Sequence, residues 1–101
     1  SIRHYALYIL GREQEAIDWL NSMEATDVSK ERYYDKACLL SLMGKTEESL
    51  QNLQKAFEAG YCFFNHVMRD FDLENVRQLP SFMPLVDKYR QLHDETCAKL
   101  P

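Results

Sequence analysis

The sequence predicts an all-α fold, an α-α superhelix of about two helical hairpins closed by a C-terminal capping helix. Three observations carry that expectation. Glycine and proline number three each in 101 residues, too few to punctuate the turns of an all-β chain. Apolar residues recur at helical spacing on either side of Gly44: Tyr33, Ala37, Leu40 and Met43 before it, Leu50, Leu53, Ala56 and Phe57 after it. The third is an internal repeat. A slide of 33 positions lays Gly11 on Gly44 and brings a ladder of like residues with it.

The ladder runs on both sides of the glycine. Leu7 falls on Leu40, Leu10 on Met43 and Arg12 on Lys45; Glu15 falls on Glu48, Ala16 on Ser49, Ile17 on Leu50, Leu20 on Leu53 and Met23 on Ala56. Helix crossing gives the pattern its physical sense. A small residue five positions after the glycine lets paired helices approach closely, and a larger one nine positions after it fills the wider gap beyond. Gly44 is a natural helix stop, because the residue after a helix often takes the left-handed conformation that glycine adopts cheaply. Thr46 is placed to cap the next helix, with Glu47 and Glu48 in its first turn.

The remaining elements follow in order. Residues 1–25 form a first, truncated hairpin and residues 29–60 a second. Between them Ala25–Ser29 is a polar connection in which Asp27 or Ser29 can cap the following helix. In residues 61–101 a short helix spans 62–68, and Asp70 or Asp72 caps a further short segment to Arg77, which can pair with one of these aspartates. Pro80 and Ser81 open a last helix with Pro84 in its first turn, where a missing N–H costs little. Phe82, Leu85, Val86, Tyr89 and Leu92 form its apolar stripe, and the end beginning at His93 is expected to fray.

The second hairpin resembles a tetratricopeptide repeat, a helix-turn-helix unit of about 34 residues. Tyr33 stands at that family's leading aromatic, and Ala37, Leu40, Gly44, Ser49, Leu53 and Ala56 stand at its small and bulky positions. Ser49 replaces the usual alanine, and Gly60-Tyr61 replaces the closing proline. The first unit matches less completely, so the resemblance covers roughly residues 4–60. Asp70, Asp72, Leu73, Arg77, Pro80 and Phe82 are similar to the tail that closes such arrays in bacterial proteins, with Phe71 in place of a proline. The resemblance implies a non-catalytic protein-protein interaction module, a scaffold or adaptor at the C-terminal end of a longer protein. It also implies a concave partner-binding face lined by the first helix of each hairpin: Tyr5, Tyr8 and Ile9, then Glu31, Tyr34, Asp35, Cys38 and Ser41. The family's carboxylate clamp uses lysine and asparagine where Tyr34 and Cys38 stand, so an acidic C-terminal tail is not the expected ligand. Self-association through the open edge of the first hairpin is the alternative.

Charge and motifs bound the rest. A net charge of −4 supplies no basic stripe for nucleic acid or anionic lipid, and no run approaches the roughly 20 apolar residues of a membrane span. Cys38, Cys62 and Cys97 form no Cys-x-x-Cys pair, and free thiols in a reducing, cytoplasmic setting are expected, with a single disulfide and one leftover thiol as the alternative; the abrupt start leaves room for an upstream targeting segment. Cys62, His66 and Asp70 recur at four-residue spacing and make a metal or Cys-His enzyme conceivable, yet no further ligand pair accompanies them. Asp70, Asp72 and Glu74 lack the glycine of a calcium loop. No phosphate loop, Gly-x-Ser-x-Gly or His-Glu-x-x-His is present. Neither catalysis, a cofactor nor a metal is expected from these residues.

Overall fold

The computed structural model describes residues 9–22 and 29–98. They fold as helices α1 (Glu13–Ser22), α2 (Ser29–Leu42), α3 (Thr46–Glu58), α4 (Phe64–Arg69) and α5 (Phe82–Ala98), with two 3-10 turns at Phe71–Leu73 and Val76–Gln78. The fold is all-α, with no strand among the described residues. No helix among them is long and apolar enough to cross a membrane.

Gly44 turns the corner between α2 and α3 at φ 78°. Its N–H donates to Ser41 O (3.0 Å) and the Lys45 N–H to Leu40 O (2.9 Å), so the last carbonyls of α2 are satisfied within the turn. Gly11, ahead of α1, has φ 77°. α3 ends in the same way: Gly60 N–H donates to Phe57 O and Tyr61 N–H to Ala56 O. The start of α3 departs from expectation. Lys45, not Thr46, occupies the cap position and makes no side-chain cap bond, because the tight corner leaves Thr46 already inside the helix.

The small positions behave as helix crossing requires. Ala16 and Ser49 are both fully buried. Ser49 Oγ donates to the Ala37 carbonyl (2.6 Å), which lets a hydroxyl sit at the closest approach of α2 and α3 without an unsatisfied group. Ala16 and Ile17 of α1 pack on Leu39 of α2 and on Met43, just past its end, in a small cluster of their own. Leu39 lies off the stripe read from the sequence. It is buried because α2 is covered on several sides: Tyr34, Ala37, Cys38, Leu39, Leu40 and Ser41 all lie inside. A helix enclosed in this way carries no single apolar stripe.

The main core joins α3 to everything C-terminal of it. Leu53, Ala56 and Phe57 share one cluster with Phe64, Val67, Leu73, Val76, Phe82, Val86 and Tyr89. Burying a side chain such as Phe57 or Phe82 contributes roughly 1.5–3 kcal/mol. α5 thus covers the second hairpin, as a closing helix should. Its stripe turns at the end, however. Leu92 is 66% exposed, while His93 continues the 82–86–89 line and docks, its Nε2–H donating to Phe57 O (2.9 Å) and its ring stacking near Tyr89. His93 therefore belongs to the packed part of the helix, not to a frayed end.

An added Cβ at Gly11 or Gly44 meets no atom within 4 Å, so only backbone conformation resists substitution there. Gly11→Ala and Gly44→Ala should each cost about 1–2 kcal/mol, and urea unfolding of the two variants should give similar losses. Unequal losses would show that the two corners are not equivalent.

Candidate functional site

The inner face of α2 meets the segment that follows α4. Asp70 ends α4 in extended backbone and caps the first 3-10 turn, its Oδ1 accepting from Asp72 N–H (3.0 Å). Its Oδ2 accepts from the Tyr34 hydroxyl (2.5 Å) and lies 3.8 Å from Cys38 Sγ and 3.3 Å from His66 Nε2. Further along, Val76 N–H donates to Ser41 Oγ (3.1 Å), and Asn75 Nδ2 donates to Ser41 O (2.9 Å). Arg77 does not pair with an aspartate carboxylate. Its guanidinium reaches the backbone carbonyls of Val67 (3.0 Å) and Asp70 (2.6 Å), satisfying acceptors that the break after α4 leaves open.

An aromatic path crosses this region. Tyr34 stacks on Tyr61 with centroids 4.4 Å apart, Phe63 meets Tyr61 edge-on at 5.5 Å, and His66 tilts against Tyr34 at 5.8 Å. Phe63 is 50% exposed and Phe71, the residue after Asp70, 72% exposed.

The structure redistributes the expected partner-binding face. Tyr34, Cys38 and Ser41 are buried beneath the chain's own 70–76 segment, so they are not exposed: the Asp70 carboxylate covers Tyr34 and Cys38, and the Asn75 side chain and Val76 N–H cover Ser41. Glu31 and Asp35 stay partly accessible, and Ile9 is exposed. Tyr5 and Tyr8 lie outside the described residues. Cys62 is disulfide-bonded, which overturns the free-thiol expectation there and removes it as partner to His66 and Asp70. Cys38, the free cysteine among the described residues, occupies that place instead. Sequence spacing could not find Cys38, since it lies 32 residues from Asp70 in the chain.

The electrostatics follow from burial and from carboxylates crowding one face. Burial, then the neighbouring Cys38 and the bond to Asp70, holds the Tyr34 hydroxyl protonated far above its usual range. Burial, then Asp70 and Asp72, pushes the Cys38 thiol up in the same direction. Asp72 is raised by burial and by Asp70. Asp35 is pushed up to about 6, chiefly by burial and further by Glu31, Asp70 and Asp72. One Glu31 carboxylate oxygen, Oε2, is buried with no hydrogen-bond partner among the described residues.

No family model and no solved structure matches the chain. It is similar to a chloroplastic protein of Arabidopsis thaliana, 28% identical over 78% of this chain. The match covers 25% of that relative, so the chain spans about a quarter of its length.

Asp35 binds more protons folded than unfolded between about pH 4 and pH 6, so its contribution to stability falls as pH rises through that window. Asp35→Asn should flatten the decline of stability from pH 4 to pH 6, measured by chemical denaturation across that range. An unchanged slope would place Asp35 in ordinary solvent.

Proposed function

We propose that this chain is a non-catalytic protein-protein interaction module of tetratricopeptide type. The observation that carries this reading is the exposure of two large aromatics, Phe63 and Phe71, on the segments that flank α4, braced from beneath by the buried Tyr61–Tyr34 stack and Asp70. Large aromatics are enriched at protein interfaces and cluster where binding energy concentrates. Both project from short, well-anchored segments, so a partner can be held without ordering the site first. The matching positive φ of Gly11 and Gly44 (77° and 78°) and the buried small residues Ala16 and Ser49 support the repeat on which the family reading rests. The partly accessible residues Glu31 and Asp35 lie on the side of α2 that faces Asp70 and favour a partner that presents basic side chains.

Self-association is the second reading, and one observation favours it: Ile9 and Leu10, beside the first corner, are large, apolar and exposed. In that case sedimentation velocity should show a concentration-dependent dimer that Leu10→Glu abolishes. A monomer at all concentrations would dismiss it.

The interaction reading predicts that Phe63→Ala with Phe71→Ala abolishes capture of the partner identified by cross-linking and mass spectrometry. Helical circular dichroism should be unchanged, because both side chains are surface-exposed. Full capture by the folded double variant would move the binding surface elsewhere.

A further inference from the structure

We propose that Cys38, His66, Asp70 and Asp72 bind a divalent cation of the Zn²⁺ class. This goes beyond the interaction reading and does not depend on it.

The four side chains come from three separate elements: α2, α4 and the bend and turn that follow α4. The donor atoms of Cys38, Asp70 and Asp72 all lie within 4.8 Å of one another. Cys38 Sγ and His66 Nε2 lie 3.8 and 3.3 Å from the same oxygen, Asp70 Oδ2. Tetrahedral coordination with bonds of about 2.0–2.3 Å requires ligand atoms about 3.3–3.6 Å apart. The His66–Asp70 edge already has that length, and the Cys38–Asp70 edge needs a contraction of a few tenths of an ångström. Cys38, Asp70 and Asp72 thus form the mutually close donor set, and His66 joins it from its contact with Asp70; a mixed set of thiolate, imidazole and carboxylate donors suits Zn²⁺ rather than Ca²⁺ or Mg²⁺, which take oxygen donors in higher coordination.

The outer contacts fit a ligand role for Asp70. A ligating carboxylate is normally oriented by further hydrogen bonds. Tyr34 OH donates to Oδ2 from one side, and Asp72 N–H donates to Oδ1 from the other. Access is available as well. The Cys38 end is buried, but the His66 side chain is 59% exposed, so the imidazole stands at the mouth of the cluster and can close over an entering ion. Binding replaces the Cys38 S–H proton, which leaves to solvent, and uses His66 Nε2 as a neutral donor and both aspartates ionised.

The test uses the whole chain with its disulfide intact, stripped by chelator and titrated with Zn²⁺ in a calorimeter. One equivalent should bind, with proton release visible as a dependence of the heat on buffer. Co²⁺ should give a thiolate charge-transfer band that Cys38→Ser removes. Asp72→Asn and His66→Gln should each weaken Zn²⁺ binding at least about a hundredfold, and Tyr34→Phe, which removes only an outer hydrogen bond, about 10–100-fold. His66 is exposed, so its variant should fold and keep the helical spectrum of the parent. No saturable Zn²⁺ binding, no thiolate band with Co²⁺, or unaltered affinity in folded His66→Gln would each overturn the proposed site.

Discussion

The carboxylate of Asp70 is the joint on which the C-terminal half of this fold depends. It holds the chain at the point where α4 stops, and it does so from both oxygens and its own carbonyl at once. Oδ2 receives the Tyr34 hydroxyl of α2, Oδ1 starts the next 3-10 turn, and the carbonyl receives Arg77. A half-buried carboxylate is tolerated only when it is hydrogen-bonded. Bonds to a charged group of this kind contribute about 1.5–3 kcal/mol each. From that anchor the chain runs along α2 to Ser41, whose hydroxyl and carbonyl take Val76 N–H and Asn75. Only then can Val76, Phe82 and Val86 reach the core around Phe57.

Much of this architecture is legible in the sequence because it is governed by local rules. Gly44 and Gly60 stop helices for a conformational reason that requires no knowledge of the fold. Ala16 and Ser49 mark helix crossings by size alone, and Asp70 before Asp72 is a cap signal that the turn then uses. The failures share another character. Thr46 had the right chemistry for a cap but stands one residue too late. Leu92 and His93 differ by one helical position, and a helix of 3.6 residues per turn does not keep a simple stripe over four turns.

The candidate site was the least legible part, again for a physical reason. Glu31, Tyr34, Asp35, Cys38 and Ser41 do share one side of α2, as helical spacing says they must. Spacing says nothing of what lies on top. The covering segment arrives from more than thirty residues away, and the contacts Tyr34–Asp70, Cys38–Asp70 and Ser41–Val76 are set by tertiary packing. The same covering brings Cys38 into the position that four-residue spacing had offered to Cys62. It also moves the accessible aromatic surface outward, from Tyr34 to Phe63 and Phe71. One rearrangement, the return of the chain over α2, therefore accounts for each of these differences.

Hydrogen exchange of individual amides, followed by NMR on the native protein, tests that return most directly. Val76 N–H, held by Ser41 Oγ in a buried site, should exchange as slowly as the core amides of α3, and Asp72 N–H should be protected by Asp70. If both amides exchanged at the rate of an open loop, the 70–76 segment would not be seated on α2, and Asp70 would not be the joint of the fold.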